Sequence, residues 1–174
     1  MGVYIVHTHI ECKDKKGQWR LPTTEYVCPV EDPYHDNSTD WPFWWQSYDM
    51  FAVLCGVRNY SGVRSVKHAT GLPADSEYLN EVISADGSFA HLTRQREEEP
   101  FCISGYWFYH IVLSDLLSFN YDDKLIDFRD GKKEKTYREF LGDDFFTVVK
   151  SLQDFADREV DVDASRLRLI IGFD

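Results

Sequence analysis

The sequence predicts an α+β domain: a mixed, mainly antiparallel sheet with helices packed on one face. Three observations predict it. Both ends of the chain are rich in β-branched and aromatic residues that alternate with period two. The interior and the C-terminal third carry apolar residues at helical spacing. At 174 residues, 43% apolar and 16% aromatic, the chain suits one domain with a bulky core, so residues 1–174 are read as a single unit.

The elements follow in order. Residues 3–11 read as a strand, with His7 and His9 on one face and Thr8 and Ile10 on the other. The polar run 13–18 holds Gly17 and predicts a hairpin turn, with residues 19–28 returning. Residues 29–43 carry Pro29, Pro33 and Pro42 and read as a loop. From Trp44 to Val57 the period is helical, and Trp44, Tyr48, Phe51 and Cys55 share a face. Gly62 is the expected stop.

Gly71-Leu72-Pro73 predicts a turn, and Ser76 is placed to cap a short helix running to about Ser84. The charged stretch 85–100 reads as a solvated loop. Residues 102–112 form an aromatic strand, and Ser114 caps the short helix after it. Lys124–Phe128 and Thr136-Tyr137 flank a turn at Asp130-Gly131-Lys132. Thr136 and Glu139 have the spacing of a capping box. The next helix opens at Asp143 and Asp144, where carboxylates suit the helix dipole. Its inward stripe is Phe145, Val148, Val149, Leu152, Phe155 and Ala156. Residues 166–173 form the last strand, expected beside the first at the centre of the sheet.

The formal charge is -11 with a pI near 4.9. Such a surface repels a phosphate backbone, so direct nucleic-acid binding is not expected. No apolar run reaches the roughly 18 residues of a membrane span. The opening residues lack the charged start and small-residue cleavage site of a signal peptide. The four cysteines, Cys12, Cys28, Cys55 and Cys102, show no C-x-x-C spacing. They read as free, mostly buried thiols of a reducing cytoplasm. No P-loop, G-x-G-x-x-G or G-x-S-x-G motif is present.

Several segments, spread over the whole chain, carry a resemblance. They are Met1-Gly2 with His7-Thr8-His9-Ile10-Glu11, Q-S-Y-D-M-F-A-V-L-C-G-V-R-N at 46–59, G-L-P-A-D-S at 71–76, G-Y-W-F-Y-H-I-V-L-S-D-L-L at 105–117 and R-L-R-L-I-I-G-F-D at 166–174. In order and spacing they resemble a family of uncharacterised proteins found largely in bacteriophage genomes. That family opens M-G-C-D-I-H and carries R-N-Y-x-L-F-A-x-L-A-x-V-R-N, R-G-L-P-x-D-x-S and a terminal V-R-L-V-F-W-F-D-N. Thr70 stands where the family has Arg before Gly-Leu-Pro. Tyr106-Trp107-Phe108-Tyr109 stands where it has His-Ser-His-Ser. The resemblance implies a phage origin and an accessory role, with most of the family's polar run lost.

The candidate ligand residues are His7, His9, Glu11, Trp41, Phe43, Arg58, Asn59, Asp75 and Ser76. His7, His9 and Glu11 share one strand face, and two imidazoles with a carboxylate can hold a divalent metal. No other cofactor is expected. Arg58 and Asn59, after the buried helix, can fork an anion or cap the helix carbonyls. Trp41 and Phe43 precede that helix and read as the exposed members of an aromatic cluster, suited to a nucleobase or a partner. The opening strand is expected to lie close to the Arg58-Asn59 corner.

The leading expectation is a non-enzymatic counter-defence protein of the host cytoplasm. It would bind a host defence protein or sequester a small nucleotide signal. The alternatives are a nucleotide or phosphoester hydrolase, metal-dependent through His7, His9 and Glu11, and a virion or structural interaction protein.

Overall fold

The computed structural model describes residues 5–31, 40–66, 69–70, 73, 75–78, 102–103, 106–159 and 163–173. The expected helix after Ser76 and the charged stretch 85–100 fall almost wholly outside these residues, as do Gly71, Leu72 and Asp174.

The main sheet contains β1 (Ile5–Lys13), β2 (Trp19–Arg20), β3 (Ala69–Thr70), β4 (Cys102–Ile103), β5 (Tyr106–Val112) and β8 (Leu167–Phe173). Its order is β2-β1-β8-β5-β3, with β4 paired to β5. Every described pairing is antiparallel. The first and last strands lie side by side as expected, and all seven residues of β8 are buried. A strand covered on both faces reads as a nearly unbroken apolar run.

The β1–β2 turn is built as its composition predicts. Asp14 accepts from the backbone N–H groups of Lys16 and Gln18, each at 2.9 Å, and Gly17 supplies φ 79°. The returning strand is short: only Trp19 and Arg20 pair with β1. The aromatic stretch 102–112 folds back as the β4–β5 pair, where one strand was expected.

Helix α1 (Tyr48–Cys55) begins four residues later than its apolar period suggests. Ser47 takes the N-cap and accepts from the Met50 N–H at 3.3 Å. Gly56, not Gly62, ends the helix in the left-handed region, and its N–H bonds back to Ala52. Short α2 (Leu113–Ser118) follows β5, with Val112 and not Ser114 at its N-cap. Strands β6 (Lys124–Asp127) and β7 (Lys133–Thr136) form a separate hairpin. Helix α3 (Tyr137–Leu141) starts on the complete Thr136–Glu139 capping box. Helix α4 (Asp143–Arg158) buries the six predicted residues Phe145, Val148, Val149, Leu152, Phe155 and Ala156.

The helices cover one face of the sheet. Leu167, Leu169, Ile171 and Phe173 alternate toward them and join Ile10 and Cys12 in one apolar cluster with α1 and α4. Phe51 of α1 meets Phe173 edge-on, with centroids 4.9 Å apart. Each fully buried ring or aliphatic side chain of this kind contributes about 1.5–3 kcal/mol. No helix among the described residues is long and apolar enough to cross a membrane.

Candidate functional site

Alternation along β1 turns Glu11 and His9 away from the helices. The β1–β8 register sets Glu11 opposite Arg168 and His9 opposite Ile170. On this second face Glu11 is wholly buried and Arg168 nearly so. Arg168 donates to Glu11 Oε2 through Nε at 2.9 Å and Nη2 at 2.7 Å. The other oxygen, Oε1, accepts from Ser76 Oγ at 2.6 Å and from the Tyr78 N–H at 3.0 Å. Arg168 Nη2 also reaches Asp75 at 3.1 Å. The guanidinium lies 4.3 Å from the centre of the Trp19 ring, which the β1–β2 turn brings over the strand.

This arrangement ties residues 75–78 to the sheet. An ionised carboxylate offers about four lone-pair directions, and Glu11 meets four donors. A buried ion pair survives only when its remaining hydrogen-bonding positions are filled in this way. Glu11 is held as a structural clasp, with no lone pair left to take a proton from a substrate. Glu77 strengthens the attachment by accepting from the Leu21 N–H and from Arg20 Nη1.

The His9 ring stacks on Tyr78 at 3.7 Å between centroids and meets the edge of Trp41 at 5.6 Å. His110 of β5 occupies the same face, opposite Ile170. Burial lowers its pKa, with Arg168 adding to the effect and Asp75 and Glu11 opposing it. Its Nδ1 is buried with no hydrogen-bond partner among the described residues.

Beside His9 opens a cleft of about 190 Å³. Its apolar walls are Ile10, Leu21, Pro22 and Tyr26, and its polar groups include Glu25 and Asp40. Both carboxylates are exposed, and among the described residues no Lys or Arg lines the cleft. Tyr26 is fixed from behind by a 2.7 Å hydrogen bond between its hydroxyl and that of Ser151 on α4.

The structure brings together His9, Glu11, Trp41, Asp75 and Ser76 from the predicted set. It does not bring Arg58 and Asn59 to them. Those two follow α1 on the helical side, so the sheet stands between them and the Glu11 face. Asn59 closes its own loop through both backbone groups of Val63, at 2.7 and 2.8 Å. Arg58 has φ 52° and donates to the Tyr60 hydroxyl at 3.2 Å. Phe43, expected at the surface, is a core residue with no exposed area. Its φ of 57° turns the ring inward onto Phe145, 4.9 Å away. The His7 side chain lies outside the described residues.

Three cysteines, Cys12, Cys28 and Cys55, are free and buried, as their apolar settings predict. Burial pushes the Cys12 thiol up to about 12 and raises Cys28 and Cys55 as well. Such thiols are poor nucleophiles. No group of three or more His, Cys, Asp or Glu able to hold a metal occurs among the described residues.

Sequence reasoning missed Arg168, Trp19, Glu25 and Asp40. For Arg168 the signal was available: if the first and last strands pair, an Arg in the middle of an apolar strand needs an acidic neighbour, and Glu11 is the acid of β1. Comparison with known protein families, curated proteins and solved structures finds no match.

Proposed function

We propose that this chain is a non-enzymatic phage accessory protein that inhibits a host antiviral system by binding a host protein. The observation that carries the reading is the cleft beside His9. Two exposed carboxylates stand at it, and no Lys or Arg is among its lining residues in the described part of the chain. A phosphate-bearing nucleotide placed there meets like charge on a chain of formal charge -11. A basic protein surface meets complementary charge, which speeds encounter and favours the right partner. This supports the protein-facing form of the counter-defence reading over the signal-sequestering form.

Other features point the same way. Glu11, the carboxylate of the expected His7, His9 and Glu11 metal set, is saturated by Arg168, Ser76 and the Tyr78 N–H. Arg58, the cation that a nucleotide site would need, is on the far side of the sheet. The resemblance to phage proteins supplies the host-facing context.

Calorimetry against linear and cyclic nucleotides, run beside affinity capture from infected host cells, tests the proposal. Silence towards every nucleotide and stoichiometric capture of one host protein are expected. A nucleotide bound with micromolar affinity would overturn it.

A further inference from the structure

We infer that the cleft beside β1 receives one lysine or arginine side chain of the partner. This rests on the protein-facing reading above and names the group that the site recognises. Long cationic side chains have two parts: an alkyl stem that prefers apolar walls and a charged head that prefers water or carboxylate. The cleft offers both. Leu21, Pro22, Ile10 and Tyr26 make an apolar channel, and Glu25 and Asp40 stand exposed at it. A volume of about 190 Å³ equals roughly six waters at ~30 Å³ each, a space on the scale of one extended side chain.

The carboxylates are unspent. Neither Glu25 nor Asp40 makes an ion pair among the described residues, whereas Glu77 and Asp14 do. Glu77 holds Arg20, and Asp14 lies 3.6 Å from the same guanidinium. The channel walls are also fixed before a ligand arrives. Leu21 is pinned by Glu77, Thr24 by Glu159 and Tyr26 by Ser151. A preformed channel loses little conformational freedom on binding. An anionic side chain would be repelled, and a purely aliphatic one would leave both carboxylates without a counter-ion.

The test uses the full chain, labelled with nitrogen-15, and three probes: N-acetyl-arginine methylamide, N-acetyl-lysine methylamide and the neutral N-acetyl-norleucine methylamide. The cationic probes are expected to shift the backbone amides of residues 9, 10, 21 and 24–26. They should saturate at concentrations roughly tenfold lower than the neutral probe. The variants Glu25→Gln and Asp40→Asn, both at exposed positions, should remove that tenfold preference while leaving the rest of the spectrum in place. Equal responses to charged and neutral probes, or none to any, would overturn the inference. If one host protein is still captured stoichiometrically in that case, the protein-facing reading stands without this pocket. If the cationic probes bind and no host protein is captured, the pocket stands and the reading falls.

Discussion

Arg168 lies directly opposite Glu11 on the neighbouring strand, and both of its hydrogen bonds to that residue go to the same carboxylate oxygen. The other oxygen is thereby left for Ser76 and the Tyr78 N–H, so one buried acid joins two strands and the segment 75–78. Removing one partner of such a pair strands a charge in the interior. Arg168→Met is expected to lower unfolding stability by about 3–5 kcal/mol. The double variant Glu11→Leu/Arg168→Met should recover more than half of that loss, because no uncompensated charge remains. Urea denaturation of the two singles and the double checks this. A single-variant cost below about 1 kcal/mol would mean that the clasp does not hold the sheet together.

A titration follows from the same face. His110 has its pKa lowered, first by burial and then by Arg168. The unfolded imidazole takes its proton near pH 6.5, and the folded one only at lower pH. The unfolded state therefore binds more protons between those values, and stability falls as pH drops from about 6.5 through the folded value. His110→Phe should flatten that part of the pH–stability curve. Denaturation midpoints at neutral and mildly acidic pH measure it, and an unchanged slope in the variant would refute the assignment.

The buried cysteines predict a chemical result. With Cys12, Cys28 and Cys55 enclosed and the Cys12 thiol raised to about 12, a disulfide exchange reagent at mildly alkaline pH should titrate at most one thiol per native chain. All four should react after urea is added. Two or more fast native thiols would show that the core opens more readily than its packing implies.

How far the sequence revealed all this depended on the range of each interaction. Helix α4 was legible because its stripe repeats at helical period and needs no partner to be recognised. The Thr136–Glu139 box was legible because both reciprocal bonds span three residues, at 2.9 and 3.1 Å. The Glu11–Arg168 pair was not, because its members are 157 positions apart and meet only through strand register. Phe43 was misplaced for a local reason: a positive φ at a non-glycine residue reverses the side chain, and nothing in its composition announces that. The Arg58-Asn59 corner was misplaced because alternation gives a strand two faces without saying which one meets the helices.

The local cap provides a calibrated check. Thr136→Ala removes the side chain that accepts from the Glu139 N–H, and the loss should be about 1 kcal/mol. Ser and Asp at the same position should retain most of it. A urea midpoint equal to that of the parent in the Ala variant would indicate that α3 is held by its buried face alone.

The claim that the chain works by receiving a basic protein partner is tested most directly by capture from infected host cells. The parent chain is compared with the double variant Glu25→Gln/Asp40→Asn at equal thermal stability. The parent is expected to retain one host protein stoichiometrically, and the double variant to lose it by at least about tenfold, with the parent's capture weakening as salt screens the carboxylates. Equal capture by both, insensitive to salt, would contradict the account.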